Sequence, residues 1–267
     1  MTELWGIVNA TPDSFSDGGR YASVDAAIKH GRALREAGAD VLDIGGESTR
    51  PGAERVPIAV EQQRVVPVIA ALAAEGAVIS VDTMNAATAV AAVRAGARYV
   101  NDVAGGLADA DMYQAVADSG AEYVIGHWRG PSSDMYARAN YTNVGAEVAA
   151  EMKERIAAAL AAGIAPERIV VDPGVGFAKT AEHNWALLRE LASVTELGYR
   201  VLVGTSRKRF LTTALGEEPS EQQRDLATAV TSVLASQAGA WAVRVHNVAA
   251  SRDALAVAHA WQGVTHD

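Results

Sequence analysis

The chain contains no cysteine, so neither a disulfide nor a thiolate metal site can contribute to its stability or its chemistry, a usage that fits the cytosol. It also lacks an excess of positive charge. With 23 Lys and Arg against 32 Asp and Glu, the net charge is -9, which argues against nucleic acid or any other general polyanion as a partner. A phosphate group would have to be gripped by a local cluster of Arg, Lys and His. No apolar run approaches the roughly 18 residues needed to cross a bilayer, and no basic region precedes the strand-like segment that begins at Leu4. These absences lead us to expect a cytoplasmic protein without a membrane partner. Nor does a Gly-x-Gly-x-x-Gly loop follow the first strand, which weighs against an open dinucleotide-binding sheet.

What is present is alternation. Short apolar or β-branched runs occur at Leu4 to Val8, Val41 to Ile44, Val78 to Val81, Arg98 to Val100, Tyr123 to Ile125, Ile169 to Val171, Val201 to Val203 and Ala242 to Val245. Alanine-rich helical segments separate them, at Val24 to Ala37, Ala59 to Ala74, Ala86 to Ala95, Asp111 to Asp118, Gly145 to Ala162, Ala181 to Leu191, Gln222 to Gln237 and Ser251 to Trp261. Eight strands alternating with eight helices predict an α/β fold, a (β/α)8 TIM barrel, formed by residues 1–267 as one domain with its active site at the C-terminal face of the strands. A hydrophobic content of 49% suffices for such a core. Glycines just ahead of the strands, at Gly38, Gly76, Gly96, Gly120, Gly163, Gly198 and Gly239, read as helix C-caps.

The strand exits are polar. In order they read Asn9, Asp43, Asp82, Asn101-Asp102, His127-Trp128-Arg129, Asp172, Ser206-Arg207-Lys208 and Arg244 to Asn247. Any one of these could be the next helix's cap. A barrel brings all of them to one mouth, where carboxylates, amides and bases at equivalent positions form a shared pocket. After the second strand, Asp43 to Gly52 (DIGGESTRPG) is too polar and glycine-rich for strand or helix and longer than an ordinary βα connection of about 2 to 6 residues. Arg244 and His246, two residues apart on a strand, should point the same way and converge on an anion with Asn9.

The segments Gly6 to Gly19 (GIVNATPDSFSDGG) and Gly38 to Gly52 resemble the two signatures of the dihydropteroate synthases. Val81-Asp82-Thr83, Asn101-Asp102-Val103, Asp172-Pro173-Gly174 with Gly176-Phe177, Gly204 with Ser206-Arg207-Lys208, and Arg244-Val245-His246 match that family in order, so the resemblance spans nearly the whole chain. It implies condensation of 6-hydroxymethyl-7,8-dihydropterin diphosphate with p-aminobenzoate to 7,8-dihydropteroate and diphosphate, with Mg²⁺ as cofactor and a homodimer as the assembled form. By the same resemblance, Asp82, Asn101, Asp172, Phe177, Gly204 and Lys208 bind the pterin, while Arg244 and His246 hold the diphosphate and Asn9 contacts the metal. Phe15, Thr49, Arg50, Pro51 and Ser206 border the arylamine, and Asp17 helps hold the metal or the developing cation. The residue types suit these tasks, because a pterin edge of donors beside a carbonyl calls for buried carboxylates, an amide and a cation. Alanine-rich helices around Thr228 to Ala238 and Leu255 to Trp261 are the expected dimer face.

Two positions depart from the family pattern. Gly126 stands before His127 where many members carry Met, which should open one wall of the pterin pocket, and Asn247 replaces the Asp that commonly follows the last histidine. Two further readings stay beside the synthase: a related barrel that passes a methyl group from methyltetrahydrofolate to a corrinoid partner, and a paralogue that binds pterins without catalysis.

Overall fold

A computed structural model of the protein describes residues 2–11, 20–48, 55–130, 137–216 and 218–263. Its strands are β1 (Glu3–Asn9), β2 (Val41–Gly45), β3 (Ile79–Asp82), β4 (Tyr99–Asp102), β5 (Glu122–Gly126), β6 (Ile169–Asp172), β7 (Arg200–Val203) and β8 (Ala242–Val245). All neighbouring pairs are parallel, and β1 pairs with β8 as well as β2, so the sheet closes into a barrel. The helices among the described residues are α1 (Arg20–Glu36), α2 (Ile58–Ala74), α3 (Ala86–Arg94), α4 (Met112–Ser119), α5 (Val144–Ala161), α6 (Ala181–Arg189), α7 (Ala192–Thr195), α8 (Thr212–Leu215), α9 (Glu221–Gln237) and α10 (Val248–Trp261). The expected (β/α)8 barrel is therefore what forms. The short helices α7 and α8 carry no amphipathic period long enough to be read from sequence.

Strand parity divides the core in two, since successive side chains face opposite sides of a strand. Trp5, Val41, Tyr99, Val124, Val170, Leu202 and Ala242 form one buried apolar cluster inside the barrel, where Trp5 stacks 4.8 Å from Tyr99 and 6.0 Å from Trp241. Their immediate neighbours Leu4, Leu42, Val100, Tyr123, Ile169, Val201 and Val243 join the larger cluster under the helices. Two residues further along the inward-facing register come Asp43, Asn101, Asp172, Gly204 and Arg244. Polar residues inside strands thus mark the upper layers of the barrel interior, directly beneath the mouth.

The opposite face carries the stabilising turns. All seven glycines that precede strands adopt positive φ, from +76° at Gly120 to +114° at Gly96, the left-handed conformation that closes a helix. On the mouth side, Ser220 and Gln223 form a capping box on α9, and Asn247 caps α10 by accepting from Ala250 N–H. That cap starts α10 at Val248, three residues ahead of the segment expected from alanine content.

Gly126 is set by packing. A Cβ at this position would lie 2.5–2.7 Å from the backbone of Val103, so the glycine opens no wall of the pocket; the chain leaving β4 already fills the space. We expect Gly126→Met to lose about 2 kcal/mol or more of stability by overpacking, without tighter ligand binding, as thermal denaturation and calorimetry would show.

Candidate active site

The floor of the mouth is a shared ion pair. Asp43 and Asp82 are buried, and Arg244 reaches both, with Nε donating to Asp43 Oδ2 at 2.5 Å and Nη2 to Asp82 Oδ2 at 2.8 Å. Asn101 Nδ2 adds a third bond to Asp43 Oδ2 at 3.1 Å. One guanidinium serves two carboxylates. Burial pushes Asp82 up to about 7, against the pull of Arg244 and with the help of the Asp43 charge. Asp43 Oδ1 and Asn101 Oδ1 are buried acceptors with no hydrogen bond among the described residues, a costly arrangement that a ligand presenting N–H groups would relieve.

Across from this floor, Asp172 at the end of β6 accepts from Gly174 N–H at 2.7 Å. Burial raises its pKa, while the Lys208 ammonium, that N–H and Arg244 oppose the rise. Lys208 is drawn over the loop that follows β6, where Nζ donates to the Val175 carbonyl and lies 4.7 Å from the centroid of the Phe177 ring. Burial lowers Lys208 to about 8, with Asp172 holding it up. Gly176 makes room for it. At Gly176, with φ +83°, a Cβ would come within 2.7 Å of Lys208 Cδ. At Gly204 a Cβ would sit 3.8 Å from Lys208 Nζ and from Arg244 Cβ, in ordinary contact with both, so the demand for glycine is at Gly176.

On the rim, Ser206 Oγ lies 2.8 Å from His246 Nδ1 and accepts the His246 backbone N–H at 3.0 Å. Arg207 holds an unusual φ of +54° through its bonds to Asp225 at 2.6 and 3.0 Å. Asn247 Nδ2 donates to the same carboxylate at 3.0 Å, so it ties α10 to α9 and does not orient the His246 ring. Arg244 and His246, expected to hold one anion, have different protein partners. The Arg244 guanidinium is turned onto Asp43 and Asp82, whereas His246 follows the end of β8 and pairs with Ser206.

Asn9 ends β1 at the mouth, in register with Gly45. Among the described residues no group of three His, Asp or Glu side chains is placed to hold a metal. Phe15, Asp17, Thr49, Arg50 and Pro51 lie outside the described residues.

The sequence matches the family model described as pterin binding enzyme over residues 5–246. It is 50% identical over 264 residues to the dihydropteroate synthase of Mycobacterium leprae, covering 97% of this chain and 93% of that one. The chain belongs to the dihydropteroate synthase family of pterin-binding enzymes. Among solved structures, the dihydropteroate synthase of Xanthomonas albilineans with 4-aminobenzoic acid matches at TM-score 0.92 and 46% identity, over 99% of this chain and 94% of that one. The same organism's enzyme in complex with 7,8-dihydropteroate matches at TM-score 0.89 and 43% identity, over 99% and 95%.

Within this dihydropteroate synthase fold, the structure gathers Asp82, Asn101, Asp172, Phe177, Gly204, Lys208 and Arg244 around one mouth, with Asn9, Ser206 and His246 at its strand ends. Asp43 is the member that motif reading underweighted. Expected at the exit of the second strand, Asp43 lies instead in the middle of β2, which runs on to Gly45, and its inward parity with Arg244 was the available signal.

Proposed function

We propose that the protein is a dihydropteroate synthase. It joins 6-hydroxymethyl-7,8-dihydropterin diphosphate to p-aminobenzoate, breaking the carbon–oxygen bond to diphosphate and forming a carbon–nitrogen bond. One proton leaves the arylamine. The observation that carries this reading is the pair of buried acceptors on Asp43 and Asn101, unbonded among the described residues, beside Asp82 and Asp172 and opposite the half-buried Lys208. That pattern complements a pterin, whose ring edge offers donors next to a carbonyl. Arg244 keeps the carboxylate floor in place, Phe177 and Gly204 shape the ring site, and Ser206 with His246 faces the arylamine and diphosphate side. The chain needs no nucleophile of its own, because the arylamine is a free base at neutral pH; its contribution is positioning and charge.

Mg²⁺ is the proposed cofactor. The Asn9 side-chain oxygen would be its ligand from the described residues, a donor type that suits a hard cation completed by substrate phosphates. When bound, the ion would offset the charge of the departing diphosphate. Incubation with both substrates should release diphosphate and form dihydropteroate, and a chelator should suppress the rate. Absence of product with Mg²⁺ present would reject the assignment.

A homodimer in the cytoplasm completes the proposal. Leu226, Val230 and Leu234 recur at four-residue intervals on α9 and are 50–65% exposed, and beside them on α10 Val257 and Trp261 are 70% and 89% exposed. A stripe of this size calls for a cover, and a second copy of the same stripe supplies a self-complementary one. Light scattering should give twice the 27.8 kDa chain mass, and Leu234→Glu should return the monomer. A wild-type monomer at micromolar concentration would defeat it.

A further inference from the structure

The loop after β6, residues 173–178, bears the Val175 carbonyl and the Phe177 ring that flank Lys208, and it holds a shape that peptides avoid. Gly174, Gly176 and Ala178 have φ of +66°, +83° and +47°, and for alanine this is a strained conformation that its surroundings must impose. From one side, Asn184 Oδ1 accepts Gly176 N–H at 2.6 Å. Beneath the loop lies Lys179, whose buried Nζ is 3.0 Å from the Gly174 carbonyl, 3.2 Å from the Phe177 carbonyl and 3.0 Å from His127 Nδ1.

The hydrogen-bond inventory fixes the protons. An ammonium has three hydrogens, and here it meets three acceptors if His127 carries its proton on Nε2, which then donates to Glu151 Oε2 at 3.0 Å. Glu151 is held in turn by Arg129, whose Nε donates to Oε1 at 2.9 Å. A neutral amine has two hydrogens for these three neighbours, so it would leave one carbonyl unbonded or turn His127 Nε2 into an acceptor facing a carboxylate. Burial opposes charge on both groups, pulling the His127 imidazole down to about 3 and Lys179 well below the ordinary lysine value, against the pull of Asp172; the three acceptors around Nζ are what favour the ammonium beside a neutral imidazole.

We propose that Lys179 is a positioning residue of the pterin site: it clamps both ends of the loop that presents Val175 and Phe177 to Lys208, and it places a further positive charge beside Asp172. This rests on the function proposed above. The charged groups facing Asp172 are Lys208 from the loop after β7, Arg244 from β8 and Lys179 from below. Removing Lys179 therefore acts on geometry and on charge, and the two separate in different variants. Lys179→Met loses both the bonds and the charge. Lys179→Gln keeps two N–H groups for the two carbonyls and loses the charge together with the bond to His127 Nδ1.

The test is calorimetric binding of 6-hydroxymethylpterin monophosphate to the wild type and both variants as a function of pH. We expect Lys179→Met to bind about tenfold or more weakly, and Lys179→Gln to regain most of that loss near neutral pH. In Lys179→Gln, the loss of binding on acidification should set in at higher pH than in the wild type, because Asp172 has lost a cation that lowers its pKa. A merely structural lysine would not move that limb. Wild-type affinity and an unmoved acid limb in folded Lys179→Gln would overturn the inference, also when Lys179→Met does not fold. Absence of binding to the wild type would instead overturn the functional reading, and this inference with it.

Discussion

Arg244→Met is expected to abolish turnover and to remove about 3 kcal/mol of stability, the usual cost of deleting one partner from a buried ion pair. In this chain the cost falls on two carboxylates at once, because the same guanidinium lies 2.5 Å from Asp43 and 2.8 Å from Asp82. Methionine retains the length of the stem and none of the donors. At the roughly 2–4 °C per kcal/mol of a chain of this size, the melting temperature should drop by about 10 °C. The pH dependence discriminates between lost packing and lost charge. Asp82 stands at about 7 with Arg244 pulling it down, so in the variant its folded value rises further above the ordinary value of 3.8. A carboxylate with a raised folded pKa destabilises as pH climbs from its unfolded value through the folded one. The deficit of Arg244→Met should consequently shrink at acid pH and widen above neutrality. A deficit equal at both ends would show that the guanidinium is not what stabilises this floor.

Lys208→Ala should leave the fold standing and remove the catalytic advantage. Its half-buried ammonium is disfavoured by desolvation and lowered to about 8, so loss of the charge relieves one cost while it breaks the bond to the Val175 carbonyl. Denaturation midpoints are expected to change by only a few degrees. Transition-state stabilisation should fall by about 2 to 5 kcal/mol, a loss of kcat/KM of tens-fold to several thousand-fold. The wild type should also lose kcat/KM as pH rises through about 8, where the ammonium deprotonates, and the variant should lack this limb. Asp172→Asn, which removes the carboxylate that supports Lys208, should move the limb to lower pH. Near-normal turnover in Lys208→Ala would remove this lysine from the site.

The barrel was legible in the sequence because apolar runs and alanine-rich segments alternate with a fixed period, and all eight runs became strands within two residues of their expected ends. Parity made much of the site legible too. Ile79-Ser80-Val81-Asp82 places Ser80 and Asp82 on one face and two aliphatic residues on the other. What the pattern does not encode is the partner across the barrel. The strand of Arg244 shows only a cation beside His246; the two carboxylates it bonds come from β2 and β3. Gly126 was misread for a related reason, as the atoms that exclude a side chain are the backbone of Val103, which has no sequence signature. Asn247, one of the strand-exit residues that could be a helix cap, is one: it starts α10 at Val248, and its amide also bonds Asp225, a partner on α9 that its own segment does not show.

The bond between Arg244 and Asp43 joins residues 201 positions apart, and it bears on the order of assembly during synthesis. Contacts this distant in sequence form late, after the intervening loop entropy has been overcome, and a nascent chain folds from its N-terminal side. Until β8 leaves the ribosome, Asp43 and Asp82 stand in a half-closed sheet without their cation. The last strand therefore completes the hydrogen-bonded ring and the charge balance of the pocket in a single event, and a nascent chain arrested before Arg244 would hold most of the scaffold and none of the competence to bind.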